Sequence, residues 1–208
     1  MRRIVPCVLM MTLLLAGCGS REEDPRQAAA RLRGEYLNLD GWSSVVSITA
    51  DYGERVYDFT VDARWRREGE TVLTVISPEL LAGITARIRN GEGALEYDGA
   101  GLSIGMLDGD GLTPVSAVPA LMARITNGYM ARCSWLEEDG SRILLVEYRD
   151  PERKEQEGAE YFLRFCPDTF ALLEAEVSVD GVLRLKAVFD DFTMEMTENE
   201  AGYHADLG

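Results

Sequence analysis

The sequence is poor in the residues on which many enzymes and metal sites depend. It contains one histidine, His204, four residues from the C-terminal end. A Ser-His-Asp triad needs a histidine as its base, and a zinc site needs a cluster of histidines and cysteines. Because His204 stands in a polar tail of the kind that is usually poorly ordered, the sequence argues against serine hydrolysis and zinc binding. We therefore predict no catalytic residue, no metal and no cofactor.

Basic charge and long apolar runs are also scarce. There are 21 Lys and Arg residues against 36 Asp and Glu, and the formal net charge is −15. A chain this acidic argues against nucleic acid as a partner and against attachment to anionic lipid through charge. After Cys18 no stretch is apolar enough to span a bilayer, which takes about 20 apolar residues.

The N-terminus has the pattern of a secretory signal. Two arginines follow Met1, residues 4–16 are apolar apart from Thr12, and the tetrapeptide L-A-G-C ends at Cys18. This apolar segment is too short for a membrane span and suits a cleaved signal peptide, residues 1–17. The tetrapeptide resembles the lipobox of bacterial lipoproteins, in which the cysteine sulfur carries a diacyl lipid. The alternative is an ordinary signal peptide with an incidental cysteine.

Cleavage before Cys18 would divide the chain into three further parts. Residues 18–24 would form a lipidated tether, residues 25–195 one domain, and residues 196–208 a polar tail. Acyl chains hold a protein at a membrane through the apolar area that they bury. We predict a protein anchored by lipid to the extracytoplasmic face of the cell membrane.

Most of the domain has the period-2 pattern of β-strands. Apolar residues at positions 57, 59, 61, 63 and 65 alternate with polar ones, which indicates one dry and one wet face. Several Asn-Gly and Asp-Gly pairs between such segments predict hairpin turns. The eleven predicted strands are 45–51, 57–65, 71–76, 84–89, 94–97, 102–107, 131–136, 142–149, 161–165, 171–179 and 182–189. Strands in this order predict an antiparallel meander.

Two helices interrupt this pattern. Residues 26–37 follow an Asp24-Pro25 start and place Ala29, Leu32 and Tyr36 on an inner face. Residues 115–128 carry a stripe of Val118, Met122 and Ile125, with Pro119 expected in the first turn. This central helix either caps the core or forms a lid over a cavity.

Residues 101–105 match the G-x-S-x-G pattern of a serine-hydrolase nucleophile elbow. An elbow needs a sharp turn at the serine and a helix after it. Here the alternation runs straight through Ser103, with Leu102, Ile104 and Met106 on the opposite face. The segment is predicted to be a strand.

Two further motifs could indicate a calcium site and a disulfide. The run Asp108–Gly111 lacks the distal glutamate of a calcium loop and is predicted to be a hairpin turn. Cys133 and Cys166 could form a disulfide outside the cytoplasm. A simple meander would instead separate them by two strands, about 10 Å, which is too far to bridge.

A sheet of about eleven strands curls, and its concave apolar face either packs on helices or holds a ligand. Two helices alone are available to cover it, so a hydrophobic cleft is predicted beneath the central helix, with a filled core as the alternative. The candidate lining residues are Tyr57, Phe59, Val61, Trp65, Leu102, Ile104, Met106, Val118, Met122 and Ile125.

The order of elements and four sequence segments resemble the LolA/LolB-like superfamily. The segments are SPELLAGITARI (77–88), LEYDGAGLSIG (95–105), ITNGY (125–129) and LLEAEVSVDGVLRLKAVFDDF (172–192). The likeness is greatest to clostridial lipoproteins of the outer-membrane lipoprotein-sorting-like and GerS germination types. It implies a mainly β fold in which a strongly curved antiparallel sheet forms a half-open barrel with helices at its mouth.

The resemblance also implies two functions. Carriers of this superfamily receive acyl chains or lipoproteins on the concave face without covalent chemistry. The GerS-like branch assists spore-cortex modification through a cell-wall amidase partner. Because a chain tethered at Cys18 does not shuttle between membranes, we expect a local acceptor, a chaperone or a scaffold.

Overall fold

The computed structural model describes residues 23–67 and 70–196, which form two α-helices and one sheet of eleven strands. The predicted signal peptide, Cys18 and the polar tail with His204 lie outside these residues. The helices are α1 (Pro25–Asn38) and α2 (Pro114–Asn127). The strands are β1 (Leu39–Asp51), β2 (Val56–Arg66), β3 (Thr71–Ser77), β4 (Thr85–Arg89), β5 (Glu92–Tyr97), β6 (Ala100–Met106), β7 (Met130–Glu138), β8 (Ser141–Arg149), β9 (Ala159–Phe165), β10 (Leu172–Val179) and β11 (Val182–Met196).

The strands lie in the order β6-β5-β4-β3-β2-β1-β11-β10-β9-β8-β7, and neighbouring strands are antiparallel. Two meanders, β1 to β6 and β7 to β11, are joined in the middle where β1 pairs with β11. The two edges, β6 and β7, are consecutive in the chain, so α2 links opposite sides of the sheet. The sheet is curved and unclosed, which confirms the predicted fold class.

The predicted tight turns are present. Asn90, Asp98, Asp139 and Asp180 all have φ between 47° and 53°, and each precedes a glycine that also has a positive φ. Two consecutive residues of positive φ make the type I′ turn, whose twist matches that of the flanking strands. Local sequence therefore determines four of the hairpins.

Helix α1 begins at Pro25, after Asp24, whose carboxylate accepts a hydrogen bond from the Arg26 N–H at 2.8 Å. An aspartate at this position caps the free N–H groups of the first turn. The predicted inner face is confirmed, because Ala29, Leu32 and Tyr36 are buried. The helix passes directly into β1 at Leu39.

Helix α2 begins one residue earlier than predicted. Thr113 and Ser116 form a capping box, in which the Thr113 side chain accepts from the Ser116 N–H at 3.2 Å and the Ser116 hydroxyl accepts from the Thr113 N–H. Pro114 takes the first helical position. The prediction that Pro119 lies in the first turn is wrong, since it stands inside the helix.

Candidate apolar binding site

The surface beneath α2 is filled rather than hollow. Val118, Leu121 and Ile125 are at most 1% exposed, and Val61 on β2 is 4% exposed. Within the described ranges, 23–67 and 70–196, these side chains belong to the hydrophobic core. Three of the ten residues predicted to line a cavity, Val61, Val118 and Ile125, are therefore core residues.

An apolar cleft of about 270 Å³ lies beside α2 instead of under it. Its walls come from α1, the starts of β1 and β3, the end of β2 and one side of α2. It is lined by Tyr36, Leu39, Trp42, Trp65, Thr71, Pro119, Met122, Ala123, Thr126 and Asn127. Two of the predicted residues, Trp65 and Met122, are among them, and none of the lining side chains is charged.

The wall of this cleft is held by cross-strand pairing. Trp42 lies opposite Trp65, and Trp65 lies opposite Thr71, so the three side chains share the concave face. Trp42 also stacks on Phe192, with ring centroids 5.9 Å apart and planes at 11°. A stacked aromatic pair of this kind fixes the position of the indole.

Tyr36 closes the same wall from α1. Its hydroxyl donates to the Phe170 carbonyl at 3.0 Å, and its ring meets Phe165 edge-on at 6.0 Å. Burial, with Tyr148 nearby, raises the pKa of Tyr36 above its usual value. The phenol, which is neutral at physiological pH even with an ordinary pKa, stays uncharged here. The cleft is thus uncharged on this side as well.

The other eight lining residues were not predicted, namely Tyr36, Leu39, Trp42, Thr71, Pro119, Ala123, Thr126 and Asn127. The register of β1 shifts between Leu39 and Gly41, so both Leu39 and Trp42 are buried although three positions separate them. A strict alternation would place them on opposite faces. The two tryptophans at the ends of paired strands were the usable signal in the sequence.

The concave face continues into an open part at the β6 side of the sheet. Ala86 pairs with Leu95, and Leu95 pairs with Leu102, so these residues share the face that carries the core. The exposed fraction nevertheless rises from 4% at Ala86 to 64% at Leu102. Ile104 covers Gly93, where an added Cβ would lie 2.9 Å from the isoleucine side chain.

Of the other predicted residues, Tyr57 and Phe59 lie on β2, opposite Ala50 and Ile48 of β1, and Ile104 lies on β6. Tyr57 is 39% exposed and Ile104 36%, while Phe59 is half-buried against the core. The structure thus brings Trp65 and Met122 together in the cleft and leaves Tyr57, Leu102 and Ile104 outside it.

Met106 departs from the predicted alternation. The pairing of β5 with β6 shifts between Gly93 and Ala94, which leaves Ile104 as an extra residue on β6. Such a bulge reverses the alternation that follows it. Met106 consequently pairs with Glu92 on the convex side, 69% exposed, and the prediction that it shares a face with Leu102 is wrong.

The serine motif is part of β6, as predicted. Strand β6 runs from Ala100 through Ser103 to Met106, and the next helix begins only at Pro114. The elbow geometry is absent from this segment. Asp108 follows in a turn, where its carboxylate accepts from the N–H groups of Asp110 and Gly111 at 3.1 and 2.8 Å. This turn joins a strand to a helix, so the predicted hairpin at Asp108–Gly111 is wrong.

Cys133 on β7 and Cys166 after β9 are free thiols, so the disulfide considered from the sequence does not form in this structure. Strand β8 separates their strands, as the meander requires. Burial raises the pKa of the Cys133 thiol. At Cys166 burial acts in the same direction, but hydrogen bonds from Thr169 and the neighbouring backbone outweigh it and lower the pKa.

Residues 23–67 and 70–196 contain neither a metal-binding cluster nor a membrane-spanning helix. No group of three or more His, Cys, Asp or Glu side chains is placed to hold a metal ion. No helix in this part of the chain is both long and apolar enough to cross a membrane.

Together the fold and the cleft define a class of protein: one curved, unclosed antiparallel sheet with an N-terminal and a central helix at its concave side. A conserved protein of Thermus thermophilus is similar in structure over 84% of this chain and 91% of its own, with 10% identity and a TM-score of 0.51. A LolA superfamily protein from Nitrosomonas europaea is similar over 85% of this chain and 95% of its own, with 11% identity and a TM-score of 0.42. A chain in the structure of the Clostridioides difficile CwlD amidase in complex with the GerS lipoprotein is similar over 83% of this chain and 97% of its own, with 14% identity and a TM-score of 0.43.

Identities this low establish a likeness of fold alone. The fold that the resemblance implied, a curved and unclosed antiparallel sheet with an N-terminal and a central helix, is confirmed. No protein-family model matches the chain, and no curated protein sequence matches it.

Proposed function

We propose that this chain is a non-catalytic, lipid-anchored extracytoplasmic protein that binds an acyl chain in the cleft beside α2. The observation that carries the proposal is the uncharged lining of that cleft, which includes Trp42, Trp65 and Met122. Trp42 is buried in the floor of the cleft, while Trp65 and Met122 are partly exposed. Partly exposed apolar side chains in a concave site favour a ligand that removes them from water. The lipid on Cys18 would keep the site close to a membrane.

The composition of the cleft distinguishes it from its neighbours. A cleft of about 560 Å³ is lined in part by Arg124, Arg149 and Asp180, and one of about 380 Å³ by Asp62 and Arg64. Those surfaces suit polar groups, because charged side chains lose hydration when an apolar ligand covers them. The cleft beside α2 offers polar groups only as hydroxyls and one amide, those of Tyr36, Thr71, Thr126 and Asn127, apart from the Trp indoles.

The size of the cleft limits what it can hold. Its 270 Å³ is slightly below the 300–1,000 Å³ typical of ligand pockets, so it would take part of one chain rather than a whole lipid. Each buried methylene contributes about 0.8 kcal/mol, and roughly eight of them would give about 6 kcal/mol. This corresponds to an affinity between millimolar and micromolar, which suits an acceptor that must release its ligand.

The proposal is tested by measuring the fatty-acid affinity of the full native chain and of a variant with a charged side chain in the cleft. Met122→Glu should weaken binding at least about tenfold, because an acyl chain would strip water from the new carboxylate. The matched control is Met106→Glu, which adds the same charge at a methionine 69% exposed on the convex side. Equal affinity in both variants, or no binding by the native chain, would contradict the proposal.

A second candidate function is a scaffold for a cell-wall amidase, which the sequence resemblance implies. The observation that favours it is an exposed apolar rim along one end of the sheet, formed by the β1–β2 turn, the 3₁₀ helix Glu79–Leu81 between β3 and β4, and the β5–β6 turn. Tyr52, Leu80 and Tyr97 there are 49%, 91% and 57% exposed. Apolar side chains gathered on a surface mark sites of protein interaction.

The scaffold is tested by adding the full chain to a purified cell-wall amidase of the same organism and measuring the rate of peptidoglycan cleavage. Leu80→Asp should abolish any increase in rate. Leu37→Asp, at a leucine 51% exposed on α1, should leave the increase intact. An increase that survives Leu80→Asp would exclude this rim as the contact.

A further inference from the structure

We propose that the cleft beside α2 selects an uncharged acyl ester, and that the Thr71 hydroxyl donates a hydrogen bond to the ester carbonyl. The assignment rests on the proposed function, because it names the chemical class of ligand for the same cleft. It depends on a buried hydroxyl without a partner and on the charge of the surrounding wall.

Thr71 is the exception among the buried polar side chains of residues 23–67 and 70–196. Four polar or charged residues there are buried, namely Ser44, Thr71, Ser116 and Glu160. Ser44 donates to a backbone carbonyl at 2.7 Å, Ser116 bonds to a threonine hydroxyl at 2.7 Å, and Glu160 accepts from a backbone N–H at 3.0 Å. The Thr71 hydroxyl, in a residue 8% exposed, has no hydrogen-bond partner in these ranges.

A hydroxyl buried without a partner costs stability, because it loses the hydrogen bonds that it makes with water in the unfolded chain. The strand does not require it, since valine has the same branched shape as threonine and suits a β-strand equally well. The Thr71 oxygen is not completely enclosed, in contrast to the unpartnered Tyr148 hydroxyl in the core. Because Thr71 lines the cleft, a ligand there can supply the missing partner.

The neighbouring residues place this hydroxyl within an apolar wall. Thr71 pairs with Trp65 on one side and with Ile88 on the other, and Trp65 pairs with Trp42. Cross-strand partners share a face of the sheet, so Thr71 stands in one row with both tryptophans. An acyl chain that covers these indoles therefore passes close to the hydroxyl.

The donors of this row determine the kind of polar group that fits it. Trp42 is 3% exposed, and its indole N–H also lacks an acceptor among the described residues. An indole N–H can only donate, whereas a hydroxyl can donate or accept. The row therefore suits a ligand with an acceptor oxygen, and the carbonyl is the acceptor that every acyl group carries. Trp42 also borders the cleft that contains Asp62 and Arg64, so the assignment rests on Thr71.

The charge of the wall favours an ester over an ionised carboxylate. None of the lining side chains is charged. Two arginines at its border are engaged with the backbone: Arg33 donates to the Ile125 carbonyl at 2.9 Å, and Arg67 donates to the Leu39 carbonyl at 3.0 Å. A carboxylate drawn into the cleft would lose its hydration without a cation of the wall to replace it. A fatty acid can bury its chain while the carboxylate stays in water, whereas an ester can enter with its carbonyl.

The test compares methyl octanoate with decane, which has a main chain of equal length but no acceptor. The affinity of the full chain for each is measured by tryptophan fluorescence, with the ligand delivered from a cyclodextrin at a known free concentration. Thr71→Val should weaken binding of the ester about two- to tenfold, the range expected for one neutral hydrogen bond. The same change should leave the affinity for decane unaltered.

The matched control is Thr126→Val, at a second threonine that lines the cleft. The Thr126 hydroxyl already donates to the Ala123 carbonyl at 3.1 Å, so its loss should alter the affinity for neither ligand. Thr71→Ser keeps the donor and should keep most of the affinity for the ester. In the native chain, which needs no substitution, octanoate at neutral pH should bind more weakly than its methyl ester.

These outcomes separate the ester preference from acyl binding itself. A native chain that binds neither methyl octanoate nor decane would contradict the proposed function and the ester preference together. Binding of both ligands, with no loss specific to the ester in Thr71→Val, would overturn the ester preference alone. An equal loss in Thr126→Val, a loss in Thr71→Ser as large as that in Thr71→Val, or octanoate that binds as tightly as its ester would also overturn it.

Discussion

The two halves of the concave face differ in cover, although their strands alternate in the same way. In the β7–β11 half, Leu144, Leu163, Ala175 and Ala187 are completely buried. At the β6 side of the sheet, Leu102 also faces the concave side but is 64% exposed. An alternating pattern therefore decides which side chains face the concave side, but the helices decide which of these become core.

Helix α1 accounts for much of this difference. It contacts β7, β8 and α2, and it buries Leu32 and Tyr36 against that half of the sheet. Arg33 holds it to α2 by donating to the carbonyl oxygens of Ile125 and Gly128. The cleft lies where this cover ends, and the free β6 edge lies beyond it.

The largest expected effect is the difference in stability loss between leucine-to-alanine substitutions in the two halves of the concave face. Leu163→Ala should lower the free energy of unfolding by about 2–5 kcal/mol, because it leaves a cavity in a fully buried site. Leu102→Ala should change it by no more than about 0.5 kcal/mol. Urea unfolding of both variants checks this, and similar losses would mean that the two halves are equally packed.

A smaller loss of stability is expected from a substitution in the turn that precedes α2, the helix that lies between the packed core and the cleft. Gly111 has φ +68°, and an added Cβ would lie 2.5 Å from that of Ala120. Gly111→Ala should therefore cost about 2 kcal/mol. Gly109→Ala, where no described atom lies within 4 Å, should cost less than about 0.5 kcal/mol. Thermal unfolding of the pair measures the difference, and equal midpoints would contradict the close approach at Gly111.

Most of the fold could be predicted because its signals are local. Sequence patterns marked all eleven strands, and the Asn-Gly and Asp-Gly pairs marked four of the hairpin turns. The Asp24-Pro25 start marked α1. Each of these signals depends on residues within a few positions of one another, which is the range that a sequence pattern reports.

The site was harder to predict because it depends on irregularities and on distant pairing. The register shifts after Leu39 and at Ile104 reverse the alternation, and neither has a sequence signature. The pairing of Val46 with Phe189 joins residues from opposite ends of the domain. For these reasons the cavity predicted beneath α2 is a cleft beside it, bounded by Trp42, which was not among the predicted lining residues.

The most direct test of acyl binding in this cleft is quenching of tryptophan fluorescence by a brominated fatty acid. The full chain has three tryptophans: Trp42 and Trp65 line the cleft, while Trp135 lies on β7 beside Glu23. In a Trp135→Phe variant both remaining indoles lie at the proposed site. We expect saturable quenching of most of this emission by the brominated acid and none by an equal concentration of bromide. Emission that is unchanged while the fatty acid binds would place the ligand elsewhere and contradict the account.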